Sequence, residues 1–381
     1  MLFRSVTVRA LLLSTLPREG PSARPRLYAY ERHLRQAGIE PTFAPLLSSR
    51  AARRFYDQGA VARASRVARA AAGAVGRLTR LLSAGRFDVA VVHRDLLPRG
   101  NALALAALRA SRVPYVYDFD DAIHLAPRDF VGAGETSRSL MARGKDPAEI
   151  PDLVRHAAVV LAGNDVLARW ARTLHGDVRV QPTPVDTDTF RPPERPRGHG
   201  ARPVVGWIGS PTATYCLTGL RAALGRLGHR HRYALHVVGA GEPVEVPGVE
   251  VVQSAWSLAS EAQAYRALDV GLYPLPDNEW TRGKCGYKAL VYMASGAVPI
   301  VSPVGVSAEI VEHGVRGFHA RTDDDWVAAA DQLLGDAELR AAMAVRGAQF
   351  VERHFSVRAL HGGFVQAVRD AAQRASPGDA R

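Results

Sequence analysis

The sequence predicts an α/β chain of two parallel-sheet lobes, and three observations lead there. Short runs of β-branched and aliphatic residues alternate with amphipathic stretches, the pattern of strands joined by helical crossovers. At 381 residues the chain exceeds what one compact core usually organises. Between two series of strands stand Pro182, Pro184, Pro192, Pro193 and Pro196, followed by Gly198 and Gly200, a turn-rich composition that reads as a linker. The expected division is a first domain over 1–182, a linker over 183–202, a second domain over 203–350, and a C-terminal helix with a polar tail over 351–381.

Each element has a local reason. Val6 to Leu13 is apolar and precedes Pro17, Gly20, Pro21 and Pro25, which predicts a buried strand and then a loop. Leu27 to Gln36 has helical periodicity and is stopped by Gly38. Strands follow at Ile39 to Pro45, Phe87 to His93, Tyr115 to Asp121, Ala157 to Ala162 and Val178 to Gln181, with a helix over Asn101 to Arg109. The second series runs through Pro203 to Ile208, Tyr233 to Val238, Glu250 to Val252, Val270 to Tyr273 and Val298 to Val301. From Leu339 to Ala372 the pattern is helical, with Leu360, Phe364 and Val368 on one apolar face.

Composition narrows the function. With 47% hydrophobic and 23% charged residues the chain has the make-up of an ordinary soluble globular protein. A formal charge of +12 favours an anionic partner: a nucleotide sugar, a lipid headgroup or a nucleic acid. The arginines are not interleaved with aromatic residues and no nucleic-acid motif is present, so a nucleic acid is not expected. Cys216 and Cys285 are the only cysteines and form no disulfide framework, which suits a reducing compartment. The apolar run Ala10 to Leu13 is too short to span a membrane, so the expectation is a cytoplasmic protein. No Cys/His cluster suggests a metal.

The helix expected over Ala60 to Leu82 could change where the protein works. Val61, Val67, Val75, Leu78 and Leu82 fall on one arc and Arg66, Arg69, Arg77 and Arg80 on the other. Such a helix either packs on its lobe with a solvated basic face or touches an anionic membrane weakly, from the inner face.

Several stretches carry chemistry. Gly206 to Thr212 joins a strand end to a helix start, where backbone N–H groups, Ser210 and Thr212 can receive phosphate oxygens. Val237 to Glu242 holds Gly239 and Gly241, but Val244 stands where a dinucleotide fingerprint needs its third glycine. Asp118, Asp120 and Asp121 follow a strand, and three carboxylates so close require a positive neighbour, a cation or a substrate hydroxyl or amine. His93 and Arg94 end the strand before them. Ala122 occupies the place where a phosphatase nucleophile loop would need threonine, and a metal-binding Asp-x-Asp is the other alternative for these acids.

One stretch also carries a resemblance. Gly283-Lys284-Cys285-Gly286-Tyr287-Lys288 through Val301, then Ser302-Pro303-Val304-Gly305-Val306, Glu309-Ile310-Val311, Gly314 and Gly317, resembles the donor-binding signature of the family 4 (group 1) glycosyltransferases. Those are enzymes of GT-B architecture, with two Rossmann-like lobes and a cleft between them. The resemblance implies transfer of a sugar from a nucleotide-diphosphate sugar to an acceptor hydroxyl of a glycan, glycolipid or small molecule. It also implies retention of configuration, independence of metal, no cofactor beyond the nucleotide-sugar co-substrate, and a last helix that crosses back to the first lobe.

On that pattern Gly209, Ser210 and Thr212 face the donor diphosphate, Gly239 lines the nucleotide crevice, and Trp256 lies in the segment that holds the base. Gly283, Gly286, Lys288 and Glu309 belong to the donor loop and its continuation. Many relatives carry two glutamates where this chain has Gly283 and Val291, so the usual ribose contact is lost and Glu279 is left to reach the sugar. Asp120 stands where many relatives have a histidine that faces sugar and acceptor. Asp120, Glu279 and Lys284 are therefore the catalytic candidates, and Gly20, His93, Arg94 and Asp118 the acceptor-side ones. A sugar-nucleotide epimerase of the same fold, and a non-enzymatic basic binding protein, are the alternatives.

Overall fold

A computed structural model of the chain describes residues 7–50, 60–97, 100–125, 147–194 and 202–374, without the side chains of 60–70. Pro196, Gly198 and Gly200 of the expected linker, and the side chains of Val61, Arg66, Val67 and Arg69, lie outside the described residues. The chain divides into two compact units, Met1–Pro184 with Leu360–Arg381, and Val185–Ala359.

The first unit holds a six-stranded parallel sheet of β1 (Val8–Ser14), β2 (Ile39–Pro45), β3 (Val89–His93), β4 (Tyr115–Phe119), β5 (Val159–Ala162) and β6 (Val178–Val180), in the order β2-β1-β3-β4-β5-β6. Every residue of β3, β4 and β5 is buried, as expected of parallel strands covered by helices on both faces. The order reverses between β1 and β3, and ligands in open α/β sheets bind outside the carboxyl ends of strands at such a reversal.

The C-terminal helix Val357–Gln373 seats its predicted apolar face on this unit. Phe364 and Val368 are fully buried, and the Phe364 ring stacks on Tyr30 with centroids 4.2 Å apart. Arg179 pairs with Asp370 at 2.7 Å and Arg374 with Asp177 at 2.6 Å, fixing the far end of the helix.

The second unit repeats the plan with β7 (Val204–Ile208), β8 (Ala234–Val238), β9 (Glu250–Ser254), β10 (Val270–Tyr273), β11 (Val298–Val301) and β12 (Phe318–His319). Its order is β12-β11-β10-β7-β8-β9, so the reversal falls between β7 and β10. Gly271 of β10 lies directly beneath the Tyr292 ring, where any Cβ would come within 2.4 Å of it. That close approach lets the Tyr292 hydroxyl accept from the Ile208 N–H at 3.0 Å and donate to the Leu272 carbonyl at 3.3 Å. One buried phenol thus holds the helix Tyr287–Ala294 against both strands of the reversal.

The helix Ala60–Leu82 forms as expected, and Arg80 is exposed as read, but Val75, Leu82 and Arg77 depart from the sequence reading. Val75 and Leu82 are each 66% exposed, whereas Arg77 is 3% exposed. The Arg77 guanidinium donates through Nη2 to the Ser14 carbonyl at 2.6 Å and the Ala44 carbonyl at 2.9 Å. Burial, with Arg80 nearby, pushes its pKa down to about 10. Two strand ends that need donors recruit the arginine, and this outweighs the helical amphipathicity that would send it to solvent.

Candidate active site

In the second unit the expected donor residues gather at the carboxyl ends of β7, β8 and β10. The loop after β7 begins at Gly209, whose N–H donates to the Val238 carbonyl at 3.0 Å. Gly239 has φ +80, and a Cβ there would come within 2.3 Å of the Gly209 carbonyl, so the two glycine turns touch. Ser210 and Thr212 are exposed and their hydroxyls lie 3.1 Å apart. Nearby, Gly241 donates its N–H to Thr214 Oγ1 at 3.0 Å.

The loop after β10 supplies the positive charge. Asn278 caps the short helix Glu279–Arg282, leaving Glu279 exposed at its first position. Gly283 ends that helix. The Lys284 ammonium lies over the Trp280 ring, 5.8 Å from its centroid. Gly286 starts the helix Tyr287–Ala294 with φ +63 and no side-chain cap, so the first N–H groups of that helix have no partner within it.

Lys288, in the first turn, places its ammonium 5.2 Å from the Trp207 ring and 5.8 Å from the Tyr273 ring. These rings belong to β7 and β10, the strands that flank the reversal. Burial, reinforced by Lys284, pushes the Lys288 pKa down to about 8. A cation near aromatic faces, beside a helix start whose first N–H groups have no partner within the helix, is suited to receiving a diphosphate.

Glu309 is exposed on the helix Ser307–Ile310. Trp256 is half-buried beside the Gly239 turn, and its Nε1–H donates to Glu261 at 3.2 Å.

In the first unit the acids at the end of β4 divide by burial. Asp118 is fully buried. It accepts from Arg26 Nε at 3.2 Å, from Arg26 Nη2, and from His93 Nδ1 at 2.7 Å. Burial opposes its ionisation, yet Arg26 and His93 outweigh that and hold its carboxyl below the usual range. The expectation that Asp118 meets an acceptor is therefore corrected: its oxygens are committed to an arginine that is itself 0% exposed.

His93 is also withdrawn, at 2% exposure, and Gly20 is buried in a turn where a Cβ would strike Leu16. Neither presents an open face to an acceptor.

Asp120 and Arg94 remain partly open, with side chains 13% and 22% exposed. Arg94 reaches Asp121 at 3.1 Å and Asp120 at 3.8 Å from a left-handed backbone, φ +66, that costs energy for a residue with a Cβ. Its N–H donates to the Asp118 carbonyl at 2.9 Å and its carbonyl accepts from the Tyr117 hydroxyl at 2.9 Å, which hold that conformation. Burial works against the Asp120 carboxylate, but Arg94, His93 and Arg26 keep its pKa below the usual value.

Two residues absent from the sequence reading complete this cluster. Arg26 supplies the positive neighbour that the acids require, and Ser22 lies between His93 and Asp120. Ser22 precedes and Arg26 ends the short helix Ala23–Arg26, in a proline-rich stretch after β1 whose composition signals only a turn. Their sole sequence cue is the excess of carboxylates after β4 in need of a counter-charge.

Comparison with known proteins places this geometry. Residues 202–336 match the family model described as glycosyl transferases group 1. The matched stretch lies within the second unit and is less than half of the chain. No curated protein matches the chain.

Among solved structures, sucrose-phosphate synthase from Thermosynechococcus elongatus is similar at 14% identity, covering 96% of this chain and 100% of that one, with a TM-score of 0.70. A glycosyltransferase from Rickettsia africae aligns at 10% identity over 96% and 99% of the two chains, TM-score 0.65. HepE of Anabaena, in complex with UDP and glucose, aligns at 15% identity over 95% and 99%, TM-score 0.63. The two-sheet α/β architecture of this chain is thus the GT-B fold.

Proposed function

We propose that this protein moves a sugar from a nucleotide-diphosphate sugar to an acceptor hydroxyl, as a family 4 glycosyltransferase that retains configuration and needs no metal. The observation that carries the donor half is Lys288, a half-buried cation near the Trp207 and Tyr273 rings at the sheet reversal. Burial and then Lys284 depress its pKa, and a diphosphate would supply the opposing charge. In this reading the Gly209–Thr212 turn and the start of the helix Tyr287–Ala294 receive phosphate oxygens. Lys284 and Lys288 neutralise the leaving group as charge develops on it, which makes a divalent cation unnecessary. That HepE, of similar fold, is in complex with UDP and glucose supports a nucleotide as ligand.

On the acceptor side Asp120 and Arg94 are the groups left open to an incoming hydroxyl. No described helix is long and apolar enough to cross a membrane. We place the protein in the cytoplasm, with a weak contact to the inner face of the membrane through exposed Val75, Leu82 and Leu103 together with Arg80.

A thermal-shift screen against nucleotide sugars, followed by assay of free nucleoside diphosphate with and without candidate acceptors, tests the reading. Release that depends on acceptor supports transfer. Interconversion of the nucleotide sugar without acceptor refutes it in favour of an epimerase.

A further inference from the structure

Hydrogen-bond counting in the first unit leads past the donor site. Ser22 Oγ lies 2.8 Å from His93 Nε2, and 2.9 and 3.1 Å from the two oxygens of Asp120. On the other side of the imidazole, Nδ1 lies 2.7 Å from Asp118, a carboxylate pinned by Arg26, so Nδ1 carries its proton. Ser22 has a single hydroxyl proton and two acceptors in reach. With Nε2 bare and Asp120 ionised, whichever way that proton turns, one close contact sets two lone pairs against each other. One further proton resolves this: on Nε2 it donates to Ser22, which donates to Asp120. On Asp120 it runs the chain in reverse, from Asp120 through Ser22 to Nε2.

The charged groups around this hydrogen-bonded chain are Asp118 on β4, Asp120 and Asp121 just beyond it, Asp95 and Arg94 after β3, and Arg26 at the end of the helix Ala23–Arg26. Tyr117 faces the same cluster with its hydroxyl bound to the Arg94 carbonyl. Arg94, His93 and Arg26 hold Asp120 below the usual carboxylate range, so it is the clash of lone pairs at Ser22 that draws a proton to the chain.

We propose that Ser22 couples His93 to Asp120 into a proton relay whose open end, Asp120, takes the proton that leaves the acceptor hydroxyl. The proposal rests on the glycosyl-transfer reading. In that step the acceptor oxygen forms its bond to the sugar carbon, the diphosphate departs with the electrons of the bond that breaks, and the acceptor O–H is lost. Its proton enters at Asp120, Ser22 passes its own proton to Nε2, and His93 ends as imidazolium against Asp118. Asp120 is the group that meets substrate, and Ser22 and His93 act through it.

The test combines kinetics with spectroscopy on the full chain. Ser22→Ala is expected to lower turnover about tenfold to a thousandfold, within the range of general acid–base catalysis, with UDP affinity unchanged. The fall of turnover toward acid pH, where the relay is already full, should flatten in Ser22→Ala, while Ser22→Thr, which keeps the hydroxyl, should restore both rate and profile. Native turnover and pH profile in a folded Ser22→Ala would overturn the relay.

Nitrogen-15 spectra of the His93 ring over about pH 5 to 9 supply a readout that needs no sugar transfer. Asp120→Asn should alter proton occupancy at Nε2 more when Ser22 is present than in Ser22→Ala, where only the through-space attraction between Asp120 and His93 is left. Equal responses in both backgrounds would refute the coupling. If that coupling is seen and no nucleotide sugar supports transfer, the proposed function fails and the acceptor step with it, while the coupling of His93 to Asp120 through Ser22 stands.

Discussion

Replacing Lys288 with methionine should move folding and binding in opposite directions. The ammonium lies near the Trp207 and Tyr273 rings with its pKa pushed from 10.5 to about 8, first by burial and then by Lys284. Keeping it charged at pH 7 therefore costs the fold on the order of 3 kcal/mol. The sign follows from the depressed value. The penalty is complete below about pH 8, where both folded and unfolded lysine are charged, and fades as pH rises toward 10.5. Methionine keeps length and apolar contact and removes the charge, so Lys288→Met should melt at or above the native temperature at pH 7.

A diphosphate reverses the balance, because charge-assisted bonds to it are each about 1.5–3 kcal/mol. Lys288→Met should then weaken UDP by about tenfold to a hundredfold in calorimetry. Native affinity should also decline above about pH 8, as Lys288 loses its proton, with little such decline in Lys288→Met. Unchanged affinity in the variant, or a fall in melting temperature alongside it, would show that Lys288 is a packing residue and that the donor argument is wrong.

Other outcomes follow from the same geometry. Lys284→Ala should weaken nucleoside diphosphate binding by about tenfold to a hundredfold in the same calorimeter, and an unaltered dissociation constant would remove it from the phosphate site. Activity should survive EDTA, since lysines and helix N–H groups are proposed to neutralise the diphosphate; loss restored by magnesium or manganese would contradict that. Arg77→Gln should lower stability by about 1–3 kcal/mol in urea unfolding, because the carbonyls of Ser14 and Ala44 lose a buried donor. Co-sedimentation with anionic vesicles at low salt should drop in Val75→Asp/Leu82→Asp, and equal sedimentation with neutral vesicles would dispose of membrane contact.

Much of the second unit was legible because strand ends, glycines and a helix start recur in step from Val270 to Ser307, and local backbone requirements enforce that order. Gly271 sits under a ring, Gly286 needs positive φ, and β10 and β11 were read to their observed ends. The helix Ala60–Leu82 shows where periodicity fails. Its pattern sends Arg77 outward, yet two terminal carbonyls contributed by strands remote in sequence draw it inward. Long-range needs of that kind leave no mark on a helical wheel. The same limit hid Ser22 and Arg26, whose partners Asp118 and Asp120 stand on another strand.

The acid cluster shows why residue type and spacing could not assign roles among Asp118, Asp120 and Asp121. All three are aspartates within one turn of chain, but only Asp118 is sealed beside Arg26, and both partners are 0% exposed. A buried ion pair is weak evidence of stabilisation, since desolvating both charges offsets most of their attraction. What the Arg26–Asp118 pair does achieve is orientation. A carboxylate that cannot swing away fixes the His93 ring and keeps the proton on Nδ1, so Nε2 faces Ser22. Asp120, two residues on, is held less tightly by Arg94 at 3.8 Å and keeps its side chain partly open. The acid sealed against Arg26 is thus the one that can only position, and the partly exposed acid, in contact with Ser22, is the one placed to exchange a proton.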